Sequence, residues 1–142
     1  MGEGYRFLDH MTDAVIEAYG STLNEAFENA ALGLSDTMID LNTVEPKKKI
    51  KVTAKGHDLY SLLFDWLNTV LLLMVVDWIA VSQFSIEIRK QSNGYSIEGT
   101  AIGEPFDFDR HRYKIEIKGV TYHEMEIKQD TATSTVRFLV DL

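Results

Sequence analysis

The feature that most constrains this chain is a succession of short runs in which apolar and polar residues alternate. Lys49-Ile50-Lys51-Val52-Thr53-Ala54-Lys55 does so before stopping at Gly56, and Tyr122-His123-Glu124-Met125-Glu126-Ile127 repeats the rhythm. Residues 84–89, 113–118 and 135–141 follow it too, a shorter run at 15–19 ends at Gly20, and Asn93-Gly94 marks a turn before a run at 95–99. A period of two sends successive side chains to opposite faces, so these runs predict half-buried strands in antiparallel sheets. Two segments change to helical spacing. Thr22-Leu23-Asn24-Glu25 predicts a capping box, followed by Leu23, Ala26, Phe27, Ala30, Ala31, Leu34 and Met38 on one face. Asp58 predicts a second N-cap, with Leu59, Leu62, Leu63, Trp66, Leu67, Val70, Leu71 and Met74 forming a broader apolar surface and so the more deeply buried helix. Pro46 and Pro105 fall between predicted elements, where a missing N–H does no harm. The predicted class is α+β: antiparallel β-sheets packed against two main α-helices in a single compact domain over residues 1–142.

Charge narrows the function. The chain carries 22 Asp and Glu against 14 Lys and Arg, a formal net charge of −8. Nonspecific nucleic-acid affinity comes from cations neutralising phosphates, so little direct RNA or DNA binding is expected. An acidic protein can still serve an RNA pathway through a basic protein partner. With no cysteine, disulfides, thiolate metal sites and cysteine nucleophiles are excluded. Residues 69–76, the most apolar stretch, are flanked by Asp65 and Asp77 and fall far short of the roughly 20 residues a spanning helix needs. The N-terminus lacks a signal-peptide pattern, so a soluble cytoplasmic protein is expected.

Three stretches carry a resemblance. The first is Phe7-Leu8-Asp9-His10-Met11-Thr12-Asp13, continued by Glu17-Ala18-Tyr19-Gly20 and Leu23-Asn24-Glu25-Ala26-Phe27-Glu28-Asn29-Ala30-Ala31. The second is Asp58-Leu59-Tyr60-Ser61-Leu62-Leu63 with Asp65-Trp66-Leu67-Asn68. The third joins Gly103-Glu104-Pro105-Phe106-Asp107, Arg110-His111 and Ile117-Lys118-Gly119-Val120-Thr121-Tyr122-His123, with Val140-Asp141-Leu142 at the end. Together they resemble the archease family over nearly the whole chain. The departures are Met11-Thr12 where small residues such as Thr-Ala are usual, Gly119 where the family commonly has Ala, and Glu124 where Gly is usual.

The resemblance implies an α+β fold and a non-enzymatic activator of the RtcB-type tRNA-splicing RNA ligase. That ligase joins RNA ends through a covalent guanylate on a histidine, using GTP and divalent metal. The activator promotes guanylylation, supports multiple turnover and relaxes nucleotide choice. An older proposal for the family is chaperoning or modulating a tRNA cytosine methyltransferase. A small metal-dependent hydrolase using Asp13, Asp141 and His10 is a further alternative, but no convergent nucleophile, base and anion-stabilising set accompanies those residues.

The resemblance also implies a cation site at Asp13, Asp141 and the C-terminal Leu142. The residues agree on one point: a free α-carboxylate beside Asp141, with Asp13 brought near by strand pairing, would gather three anions whose crowding calls for a cation. Oxygen donors suit Ca²⁺ first, with Mg²⁺ or Mn²⁺ as alternatives. Without the resemblance, Asp13 caps a loop and Asp141 is a solvated strand end. His10, Lys118, Tyr122 and His123 are candidates for the functional surface. His10 and His123 read equally as packing residues at strand ends, and Lys118 as an ordinary surface lysine, pointing away from the face of Ile115 and Ile117. Arg110-His111 either joins that surface or ends a turn. Glu104, Asp107 and Asp109 read as a solvated acidic loop, or as an acidic tip approaching the ligase's metal centre.

Overall fold

The computed structural model describes residues 4–8 and 13–142, ordered as seven strands, two α-helices and one 3₁₀ turn. Helix α1 (Leu23–Met38) begins at Thr22, whose hydroxyl accepts from the Glu25 N–H at 3.1 Å. Glu25 does not complete the predicted box. Its carboxylate reaches one residue further back, to the Ser21 N–H at 2.6 Å and the Ser21 hydroxyl. The reciprocal box occurs instead on α2 (Leu59–Val75), between Asp58 and Ser61. Each helix buries eight residues, but α2 buries the larger ones, Trp66 and six leucines or valines among them.

Strands β1 (Tyr5–Leu8), β2 (Asp13–Gly20), β6 (Gly119–Gln129) and β7 (Ser134–Asp141) form one antiparallel sheet in the order β1-β2-β7-β6. Strands β3 (Lys48–Gly56), β4 (Ile79–Gln91) and β5 (Gly94–Pro105) form a second, in the order β3-β5-β4. Helix α1 packs on β2 and β4, and α2 on β3 and β6, so the helix pair is the layer both sheets share. Trp66 of α2 fastens the two helices, donating its indole N–H to the Phe27 carbonyl at 2.9 Å.

Sheet edges are covered by helix side chains. On edge strand β4 the N–H groups of Ile86 and Ile88 donate to Glu28 and Asn24 of α1. On edge strand β3 the Lys55 N–H donates to Asp65 of α2, and on β6 the Ile127 N–H donates to the Tyr60 hydroxyl. Capping unpaired edge groups removes a template for pairing with other chains.

Three sequence expectations are corrected. Residues 113–118 are not a strand. Only Tyr113 bridges Ile39, and Lys114 donates its N–H to the Met38 carbonyl, so the segment crosses the end of α1 rather than joining a sheet. Accordingly Ile117 is buried while Ile115, predicted to share its face, is exposed. Pro105 closes β5 instead of lying between elements, opposite Ile79. Strand β1, pairing Tyr5 with Ala18, was not predicted. Among the described residues, no helix is long and apolar enough to cross a membrane.

Candidate functional site

The outer face of the first sheet is ordered in rows, because residues two apart on a strand share a face. Arg6, Glu17, Arg137 and Glu126 stand opposite one another across all four strands, β1, β2, β7 and β6. They form an ion-pair ladder: Arg6 to Glu17 at 2.7 Å, Arg137 to Glu17 at 3.3 Å and Arg137 to Glu126 at 3.9 Å. These hydrogen bonds and charges hold the Glu17 carboxyl below its ordinary value, against a burial effect that works to raise it. Two residues along, Val15 stands opposite Leu139, both buried. Two further, Asp13 stands opposite Asp141, which in turn faces Gly119.

The early aspartate and the chain end are therefore direct cross-strand partners, whose Cβ atoms lie about 4.5–5.5 Å apart in such pairs. Asp13 is half-buried with Oδ1 out of solvent, and Asp141 is exposed. Leu142 follows, its side chain packed against the core. At Gly119, the third place in the row, a Cβ would meet nothing within 4 Å, so the space beside Asp141 is open. The donor set is all oxygen. Among the described residues no group of three His, Cys, Asp or Glu side chains could hold a metal ion. A cation here would rest on the two aspartates, with Leu142 adjoining them.

Lys118 adjoins this row: its N–H donates to the Asp141 carbonyl at 2.8 Å and its side chain is exposed. Tyr122 and His123 lie further along, where β6 bulges away from β7 between Thr121 and Glu126. Tyr122 stacks on Phe64 of α2 with ring centroids 4.5 Å apart, and His123 is exposed. The bulge turns through Glu124, whose φ of 61° is left-handed. His10 lies outside the described residues. Of the predicted set, Asp13, Asp141, Leu142 and Lys118 are brought together, while Tyr122 and His123 occupy a neighbouring irregularity.

The acidic run is corrected. Glu104 is buried, not solvated. It takes both arms of Arg110, at 2.6 and 2.8 Å, and accepts from the Glu45 N–H at 2.9 Å and from His111 Nε2 at 2.7 Å. His111 Nδ1 accepts the Asp107 N–H, which leaves the ring proton on Nε2, donating to Glu104. Arg110 above all holds the Glu104 carboxyl far below the usual carboxylate range, outweighing burial. Arg110-His111 thus ends a turn, both N–H groups donating to the Asp107 carbonyl, and its side chains clamp the loop after β5 instead of joining the Lys118 surface.

That clamp supports a feature the sequence reading missed. Phe106 contacts Trp78, Phe108, His111 and Tyr113 at centroid distances between 4.6 and 6.3 Å. Trp78 is 49% exposed, Phe108 68% and Tyr113 42%. Beside them opens a pocket of about 150 Å³ lined by Met38, Met74, Trp78, Phe106, Tyr113 and Glu116 among others. Burial, then the charge of Glu116, push the Tyr113 phenol up. The available signal was Phe106-Asp107-Phe108-Asp109 after Pro105, aromatic residues in a segment too polar to be core.

Comparison with known proteins places this geometry. The family described as Archease protein family (MTH1598/TM1083) matches residues 5–142. The archease of Methanopyrus kandleri is 34% identical, covering 95% of this chain and 96% of that one. The solution structure of Methanobacterium thermoautotrophicum protein 1598 superposes with a TM-score of 0.84 at 35% identity, covering 99% of each chain. The crystal structure of a Thermotoga maritima archease, described as a possible chaperone, has a TM-score of 0.56 at 18% identity over 95% and 94% of the two chains, a likeness of fold alone.

Proposed function

Because this chain belongs to the archease family, we propose that it is a cytoplasmic, non-enzymatic activator of an RtcB-type GTP-dependent RNA ligase, acting through a divalent-cation site at the Asp13–Asp141 end of the first sheet. The single observation that carries the reading is that cross-strand pair, with Leu142 next along the chain. Like charges held this close favour a bound cation over a bare site. Asp13, Asp141 and Leu142 would hold it through oxygen atoms, whose hardness suits Ca²⁺, with Mg²⁺ or Mn²⁺ as the alternatives. When bound, the ion would supply neutralisation of these carboxylates. The chain's own residues do the rest. The ion-pair ladder and Val15–Leu139 row set the register that holds the aspartates opposite each other, and Lys118 offers an exposed ammonium beside them for an anionic group of the partner, nucleotide or RNA.

Activation then requires contacts stronger in the guanylylation-competent ligase than in its resting form. The test combines calorimetric Ca²⁺ and Mg²⁺ titration with guanylate-adduct formation by a cognate ligase. Wild type binds and stimulates. Asp13→Ala and Asp141→Asn lose both. Equal cation affinity in wild type and Asp13→Ala overturns the site. No stimulation by wild type overturns the function, and co-purification with a tRNA methyltransferase instead of the ligase directs it to the chaperone reading.

A further inference from the structure

The aromatic pocket lies apart from the Asp13–Asp141 row, and the reading above does not use it. Trp78, Phe106 and Tyr113 present rings to one cavity of about 150 Å³, with Met38 and Met74 as soft, polarisable lining and Glu116 at its wall. Two ring pairs fix the enclosure: Trp78 with Phe106 at 5.8 Å and 60°, and Phe106 with Tyr113 at 6.3 Å and 83°. Aromatic rings lining one space, with a carboxylate added, suit a cation carried on an apolar stem. A purely apolar anchor would gain nothing from Glu116.

Local strain at this place has no use in the core. Trp78 holds a φ of 54°, in the left-handed region that strains a side-chain-bearing residue, and it does so half exposed. Such strain gathers at ligand clamps. Its carbonyl accepts the Phe106 N–H at 2.7 Å, and the Glu104–Arg110–His111 clamp holds the other end of the 104–111 loop. The cage is thus fixed before any ligand arrives.

We propose that this pocket receives a cationic side chain, an arginine, from a basic protein partner. Charge complementarity selects that occupant. Glu116 lines the cavity itself, and Asp77, Asp107 and Asp109 flank the aromatic residues in sequence. Of the nearby cations, Arg110 is occupied by Glu104 and Lys114 by Asp36. Arg112 and Lys118 are exposed on the same segment, so selectivity resides in the cage and Glu116 and not in net charge. An arginine's planar guanidinium stacks on rings while pairing with a carboxylate, and its stem fits the Met and Ile39 lining. Residues 113–118 run from the cage to the Asp141 carbonyl, a reach of at most about 18 Å, so one partner face spans both places.

The probe is N-acetyl-arginine methylamide, titrated by two-dimensional NMR with the Trp78 indole N–H as reporter, alongside the tetramethylammonium ion and N-acetyl-norleucine methylamide. Arginine amide is expected to bind in the millimolar range with shifts confined to residues 74–78, 104–108 and 113–116, and norleucine amide at least tenfold more weakly. Glu116→Gln should weaken the arginine probe about fivefold and leave norleucine unchanged. Trp78→Gly should abolish binding while folding at least as well, because glycine adopts the left-handed backbone freely. No shift at Trp78, or norleucine binding as tightly as arginine, overturns the proposal. Tetramethylammonium binding tenfold tighter than arginine overturns the choice of occupant. The cation site plays no part in these readouts, so its failure would leave them intact.

Discussion

Glu124 sits in the β6 bulge with φ at 61°, a conformation that places Cβ too close to the neighbouring carbonyl. Glycine is usual there in the family the chain resembles, and the geometry explains why. Glu124→Gly is expected to stabilise the protein by about 0.5–1 kcal/mol, the relief of strain exceeding glycine's extra unfolded-state entropy. Urea denaturation should show a raised midpoint with unchanged slope; a lowered midpoint would mean the glutamate has a compensating contact. The reverse departure is Gly119, where open space would accept a methyl group and φ is not left-handed. Gly119→Ala is therefore expected to add about 0.4–1 kcal/mol by restricting the unfolded chain. Both departures are legible as sequence, but only the backbone says that one is strained and the other merely loose.

At the scale of elements, the helices act as edge guards as well as core. Asn24 and Glu28 sit on the polar side of α1, which amphipathic reasoning assigns to solvent, yet each accepts a strand N–H from β4. Asn24→Ala and Asp65→Ala are each expected to cost about 1 kcal/mol. The double variant should also associate, seen by light scattering, since the β3 edge then loses the Asp65 cap and β4 keeps only Glu28. A strictly monomeric double variant of full stability would refute the edge role. Alternation found every other strand but misread 113–118, because period two reports which faces a segment shows and not whether a neighbouring strand exists to pair with it. The short β1 escaped because the alternation of Tyr5, Arg6 and Phe7 ends at Leu8, too short a run to stand out before pairing with β2 makes it a strand.

Across the whole molecule, what was readable at a distance is the meeting of its two ends: Asp13 and Asp141 were expected to converge through strand pairing, and they stand in register. What was unreadable is Glu104, since a glutamate before a proline looks solvated until Arg110 and His111 fold back over it. This buried carboxylate and the half-buried Glu28 give the fold opposite responses to pH. Glu104 is held below its ordinary value of 4.5, so its contribution is complete above that pH and falls away as acid protonates it. Glu28 is pushed up, chiefly by burial, so ionising it opposes folding and its favourable contribution is lost as pH rises through its folded pKa. Glu104→Gln is expected to cost about 2–3 kcal/mol at pH 7, since Arg110 loses its partner and the Glu45 and His111 donors face a weaker acceptor. That deficit should shrink steadily between pH 5 and pH 3, while Glu28→Gln gives a small gain at pH 7 that disappears in acid. Urea midpoints of wild type and both variants at pH 7, 5, 4 and 3 decide it. A Glu104→Gln deficit that stays constant across that range would mean the side chain acts by its shape and not by its charge.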